Sequence, residues 1–235
     1  MLVAIVALVV AVPRVACGSC TTTVPAGTMS GATWSIAGSP YCIGGDILVD
    51  SLTVEPGVLV QFLGEYELYV TGTLTAVGTA VQPILFRKDS SNPSGWKGMV
   101  FDHANSASRL VHCTVENATN TGVTIINTIL TVDHCAFSNN QGGDGGGLKV
   151  DLSAATGQLV LTECVISGNN AAGHGGGIYA NVSAGSLLLE GCMVTNNTTN
   201  AASAARDSFG GGIYFESATG GVAMTRGEAG CVISG

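Results

Sequence analysis

Four cysteines recur through the second half of the chain at a nearly even interval. Cys113, Cys135, Cys164 and Cys192 are 22, 29 and 28 residues apart, and the residues around them match: LTVDHCAFSNN (130–140), LVLTECVISGNN (159–170) and LLLEGCMVTNN (187–197). Leu130, Leu159 and Leu187 hold one position, Val132, Leu161 and Leu189 the next but one, and Phe137, Ile166 and Val194 the second after the cysteine. RLVHCTVEN is an earlier, more divergent copy with Leu110 and Val115 in the equivalent places. Alternation of period two marks strands, since successive side chains on a strand point to opposite faces. A second element recurs beside it: GGGLKVD (145–151), GGGIYAN (175–181) and GGGIYFE (210–216). In it Leu148, Ile178 and Ile213 face inward, as do Val150, Ala180 and Phe215, while Lys149, Tyr179 and Tyr214 face outward.

A unit of this length holding only short strands cannot bury its own apolar side, so successive units must stack and pair with their neighbours. The expected fold is all-β, a right-handed parallel β-helix in which equal positions sit ~4.8 Å apart as ladders. Residues 46–235 would give roughly eight coils, a rod about 38 Å long at that spacing. No amphipathic pattern of period 3.6 follows residue 18. Composition agrees, with 46% hydrophobic and only 10% charged residues, too apolar for a disordered chain. The net charge of −8 argues against nucleic-acid binding, which needs clustered cations.

Residues 1–18 read as a secretory signal peptide, with the apolar MLVAIVALVVAV followed by small residues around Ala16-Cys17-Gly18. Residues 19–45 read as an N-terminal leader or cap, and residues 46–235 as the β-helix, which stops inside another cysteine strand at Cys231 as a truncated chain would. The mature chain is expected to be secreted or at the cell surface, with no membrane span. Cys20 and Cys42 are placed for a local disulfide. Cys113, Cys135, Cys164 and Cys192 are expected as small buried hydrophobes with free thiols, disulfides between neighbouring coils being the alternative.

Residues 28–86 resemble the opening of secreted bacterial parallel β-helix proteins of the pectate-lyase-like fold. Trp34, Ser39-Pro40-Tyr41, Gly45-Asp46, Leu52-Thr53-Val54-Glu55-Pro56-Gly57, Gly72-Thr73-Leu74 and Pro83-Ile84-Leu85-Phe86 carry the likeness in order, and Gly95-Trp96-Lys97-Gly98 opens the next coil. The later coils, with Phe137-Ser138-Asn139-Asn140 and Gly175-Gly176-Gly177-Ile178, are similar to the FxxN and GG[AG]I repeats of polymorphic outer-membrane proteins and related adhesins.

Candidate chemistry is sparse. Asp144, His174 and Phe209 each precede a glycine triplet and should lie on one ridge of adjacent coils. Tyr179 and Tyr214 share an outward column that could form a small aromatic platform for a sugar ring, with Lys149 one coil below as the best candidate base. Gly173-His174-Gly175 lacks the companion motifs of polygalacturonase-like hydrolases. In Gly142-Gly143-Asp144-Gly145-Gly146-Gly147 the aspartate is out of place for a Ca²⁺ nonapeptide. Zinc at His112-Cys113 or His134-Cys135 is rejected because adjacent residues of a strand face opposite ways. No catalytic residue, metal or cofactor is assigned. The expected role is a structural, adhesive or glycan-binding scaffold, with a polysaccharide or cell-surface glycan as partner. The alternative is a lyase or hydrolase of acidic polysaccharide, with its catalytic residues in the insertion 198–209 or in a C-terminal part beyond this sequence.

Overall fold

The computed structural model describes residues 20–200, 210–216, 221–225 and 232–234. The signal peptide expected over 1–18, Phe209 and Cys231 lie outside them. Among the described residues there is no α-helix, only a 3-10 turn at Ile36–Gly38. Everything else regular is strand, and the ladders between coils are parallel.

The chain winds as a parallel β-solenoid. One face is a nine-stranded sheet that runs from Thr22–Val24 through Tyr41–Ile43, Leu59–Phe62, Ile84–Lys88, Cys113–Glu116, Ala136–Ser138, Val165–Ser167 and Met193–Thr195 to Val232–Ser234. The other two faces are limbs of one fourteen-stranded sheet, joined where the long strands Ile47–Val54 and Glu67–Val77 continue from one limb into the other. The first two strands of the nine-stranded face fall within 19–45, so the stretch expected as a leader is itself wound into the stack.

Four successive coils turn two of their corners on single residues in the left-handed region. His112, His134, Glu163 and Gly191 form one such series (φ 47 to 61°), and Asn117, Asn139, Gly168 and Asn196 another (φ 55 to 66°). A lone left-handed residue ends one strand and starts the next at an angle, which costs little for Gly or Asn and more for His or Glu. The cysteine-bearing segment is therefore two strands meeting at a corner, Thr131–Asp133 and Ala136–Ser138 in one copy, where the repeat alone suggested one continuous strand. The alternation argument against zinc thus fails in its premise, because His112 and His134 are corner residues. Among the described residues no three His, Cys, Asp or Glu side chains converge as a metal site.

Inside the rod the ladders run as the repeat requires. Leu159 pairs in register with Leu187, Val132 with Leu161, and Phe137 with Ile166, and all are buried, as is Leu130 in the rung before Leu159. Each such Leu, Ile or Phe contributes about 1.5–3 kcal/mol by leaving water. Cys113, Cys135, Cys164 and Cys192 are buried free thiols, and burial raises the Cys113 thiol well above its ordinary range. Cys20 and Cys42 are disulfide-bonded, tying the first turn to the strand Tyr41–Ile43. Phe215 occupies its expected register opposite Ala180 yet is 37% exposed, since Ile213–Glu216 is the edge strand of its limb among the described residues.

A polar column accompanies the apolar ones. Asn140, Asn169 and Asn197 are buried one above another. The Asn169 Nδ2 donates to Asn197 Oδ1 (2.9 Å) and Phe137 O (2.8 Å), while its Oδ1 accepts from the backbone N (2.9 Å) and Nδ2 (3.1 Å) of Asn140. Every polar atom of that amide is used, as a buried amide requires.

The outer corner at His134 links two coils electrostatically. Its Nδ1 lies 2.7 Å from Asp133 Oδ1 and its Nε2 2.8 Å from Glu163 Oε2. The Asp133 hydrogen bond first, and the Glu163 charge less strongly, raise its pKa above the usual 6.5. A raised folded-state value means the stabilisation is full below about pH 6.5 and fades as pH climbs through the raised value. The imidazole is 41% exposed, so screening limits the effect to about 1 kcal/mol or less. Comparing urea midpoints of the wild type and His134→Gln across pH 5 to 9 should show a small deficit at the acid end that closes at the alkaline end. A deficit that grew with pH would contradict the ion-pair account.

Candidate functional site

The outward residues of one limb line up into a column. Lys149 of Leu148–Asp151 pairs in register with Tyr179 of Ile178–Asn181, which pairs with Tyr214 of Ile213–Glu216. The inward neighbours Leu148, Val150, Ile178 and Ala180 are buried, which fixes the orientation of the residues between them.

The column is stacked. The Lys149 Nζ sits 5.5 Å from the centroid of the Tyr179 ring, within cation–π range. Tyr179 and Tyr214 are 5.7 Å apart with planes 14° from parallel, and His174, from the same coil as Tyr179, also stacks against Tyr214, at 4.4 Å and 22°. Asp144 anchors the same ridge by accepting the His174 backbone N–H at 2.9 Å. The geometry thus brings together Lys149, Tyr179, Tyr214, His174 and Asp144. It differs from a flat platform in one respect. Rings that face one another along the axis turn their edges and hydroxyls outward, because register pairing places them about one strand spacing apart.

Glu216, not singled out from sequence, completes the cluster. The Tyr179 hydroxyl donates to its Oε2 at 2.7 Å. Burial first, then this hydrogen bond and the Glu216 charge, push the Tyr179 phenol well above its usual range, so it remains a donor throughout the physiological interval. Glu216 was hidden because it lies diagonally across from Tyr179, in the next coil and the next outward column.

A second concavity lies at the His112–His134 corner. It is a shallow groove of about 340 Å³ lined by Ala80, Pro83, His112, His134, Glu163 and Val165. The two imidazoles are 4.7 Å apart and tilted by 44°. None of the sequence-selected ligand-binding residues faces it.

With one coil defined from its corner at Glu163, through Asn169 and the glycine triplet, to the outward Tyr179, the segment can be compared as a unit. Residues 163–181 match the Chlamydia polymorphic membrane protein repeat. That repeat holds the corner, one rung of the asparagine column, the Gly175–Gly177 triplet and the strand that presents Tyr179. No curated protein and no solved structure matches the chain. Among the described residues no helix is long and apolar enough to cross a membrane.

Proposed function

We propose that the chain is a surface-displayed β-solenoid whose Lys149–Tyr179–Tyr214–His174 column binds glycan. What supports surface display is the membrane-protein repeat at 163–181. What supports binding is a single observation: residues from three successive coils form one continuous stack on an outward face, with acceptor and donor groups along its rim. The outward ring edges offer a sugar apolar contact, and the hydroxyls at the rim with Glu216 and Asn181 offer hydrogen bonds to its hydroxyls. A protein held by neighbour-to-neighbour contacts suits display at a distance from the cell, because length adds without changing the fold.

The pair substitution Tyr179→Ser with Tyr214→Ser tests the reading, with thermal melting as the folding check. Binding to immobilised glycans or to cells should fall at least about tenfold, as loss of an aromatic anchor costing more than ~1.4 kcal/mol requires. Unchanged binding by a folded double variant removes the site. Incubation with pectate or alginate, with and without Ca²⁺, should yield no product; product formation would favour the enzymatic alternative. In that alternative Lys149 would be the base, yet it lies against the Tyr179 ring.

A further inference from the structure

The column that carries Lys149, Tyr179 and Tyr214 extends well beyond them. Register pairing continues it through Thr124 and Val100 to Tyr69, on the strand Glu67–Val77. A parallel outward column beside it runs from Asp102 through Ile126, Asp151 and Asn181 to Glu216. Where these columns begin, the arrangement found at Tyr179 and Glu216 is repeated. The Tyr69 hydroxyl donates to Asp102, which lies one coil on and one column across, the same diagonal step. His103 Nδ1 lies 2.6 Å from Asp102 and holds it from the far side. The Asp102 contact lifts the Tyr69 phenol to about 12, and the Tyr69 and His103 hydrogen bonds lower the Asp102 carboxyl, so donor and acceptor keep fixed roles.

Between the two diagonal pairs the outward residues are first Val100, Thr124 and Ile126, whose side chains are short, and then Lys149, Asp151 and Asn181, with the Lys149 ammonium lying over the Tyr179 ring. Tyr69 and Tyr179 are separated by four strand spacings, about 19 Å. Charge narrows the ligand: Glu67, Asp102, Asp144, Asp151 and Glu216 stand along this face against Lys97 and Lys149, in a chain of net charge −8. A polyanion would meet repulsion along its length.

We infer that this face is one extended track, with Tyr69 and Asp102 as a second contact point for an uncharged polysaccharide chain lying along the solenoid axis. The inference rests on the glycan-binding reading of the Tyr179–Tyr214 column and adds to it a length and a charge class. Two anchors on one chain act cooperatively, because binding at the first raises the effective concentration at the second. The ligand must therefore be long enough to reach both.

Titration of the full chain with neutral β-linked gluco- and manno-oligosaccharides, from disaccharide to octasaccharide, tests it. Affinity should rise at least about tenfold between the shortest and longest oligomers. Tyr69→Ser should erase that gain while leaving the short oligomers unaffected, and Tyr69→Phe should retain part of it. The pair substitution Tyr179→Ser with Tyr214→Ser should weaken oligomers of every length. Affinity independent of length, or a folded Tyr69→Ser variant that binds the octasaccharide normally, overturns the second contact while leaving the first column standing. Tighter binding of oligogalacturonate than of the neutral series overturns the charge class. Failure of every oligosaccharide to bind overturns the track and the glycan reading together.

Discussion

Replacing Asn169 by leucine should lower the unfolding free energy by about 2–3 kcal/mol. The substitution is close in volume, so no large cavity accompanies it, and the loss falls on hydrogen bonds. The Asn140 backbone N–H loses Asn169 Oδ1 and the Phe137 carbonyl loses Asn169 Nδ2, both in the dry interior. A buried polar group left without its partner costs about 1–3 kcal/mol, and the Asn140 N–H is the one stranded, since the Phe137 carbonyl stays in the ladder to Val165–Ser167 and loses only its second donor. Asn140 Nδ2 keeps Val115 O and Asn197 Oδ1 keeps the backbone N–H of residue 169, so these add less. Equilibrium urea unfolding measures the difference. A change under 1 kcal/mol would mean that the asparagine column contributes little to holding neighbouring coils together.

Gly176→Ala should be similarly damaging, for a steric reason. A Cβ there would lie 2.2 Å from Thr198 O and 2.4 Å from Gly211 O, both backbone atoms, so the substitution must push whole strands apart. Overpacking against a rigid neighbour costs about 3 kcal/mol or somewhat more. Gly143→Ala, one coil earlier and outside the triplets, is the matched control. Nothing lies within 4 Å of its added carbon, and it should be neutral or stabilising by about 0.4–1 kcal/mol through the unfolded state. Thermal melts of the two variants side by side separate close coil packing from general loop mobility. Equal melting temperatures would show that the triplets are permissive turns and nothing more.

These two substitutions mark the division between what the sequence reveals and what it conceals. Leu130, Leu159 and Leu187 are legible because a one-residue slip would expose the whole set, so the pattern and the register are one constraint. The outward Lys149, Tyr179 and Tyr214 follow from the same register, since the triplets align them. The corner residues are not legible. His112, His134 and Glu163 sit among alternating residues and share no side-chain type with Gly191, and only their backbone torsion unites them. Tyr69 and Asp102 escaped for another reason. Their coils diverge from the repeat, so no alignment placed Tyr69 above Lys149, and a diagonal contact between columns leaves no periodic trace. Stacking rather than coplanarity of the tyrosines is likewise a matter of torsion, which the spacing does not carry.

Spin-label distances along the Tyr69–Tyr214 column test register stacking most directly, because both the fold and the binding face depend on it. With one label fixed at Leu48, the rung paired with Tyr69, second labels at Thr124, Lys149, Tyr179 and Tyr214 should give distances rising by ~4.8 Å a rung, to about 29 Å at Tyr214. Distances that scatter, or that fail to grow with each successive rung, would contradict the solenoid and every site built on it.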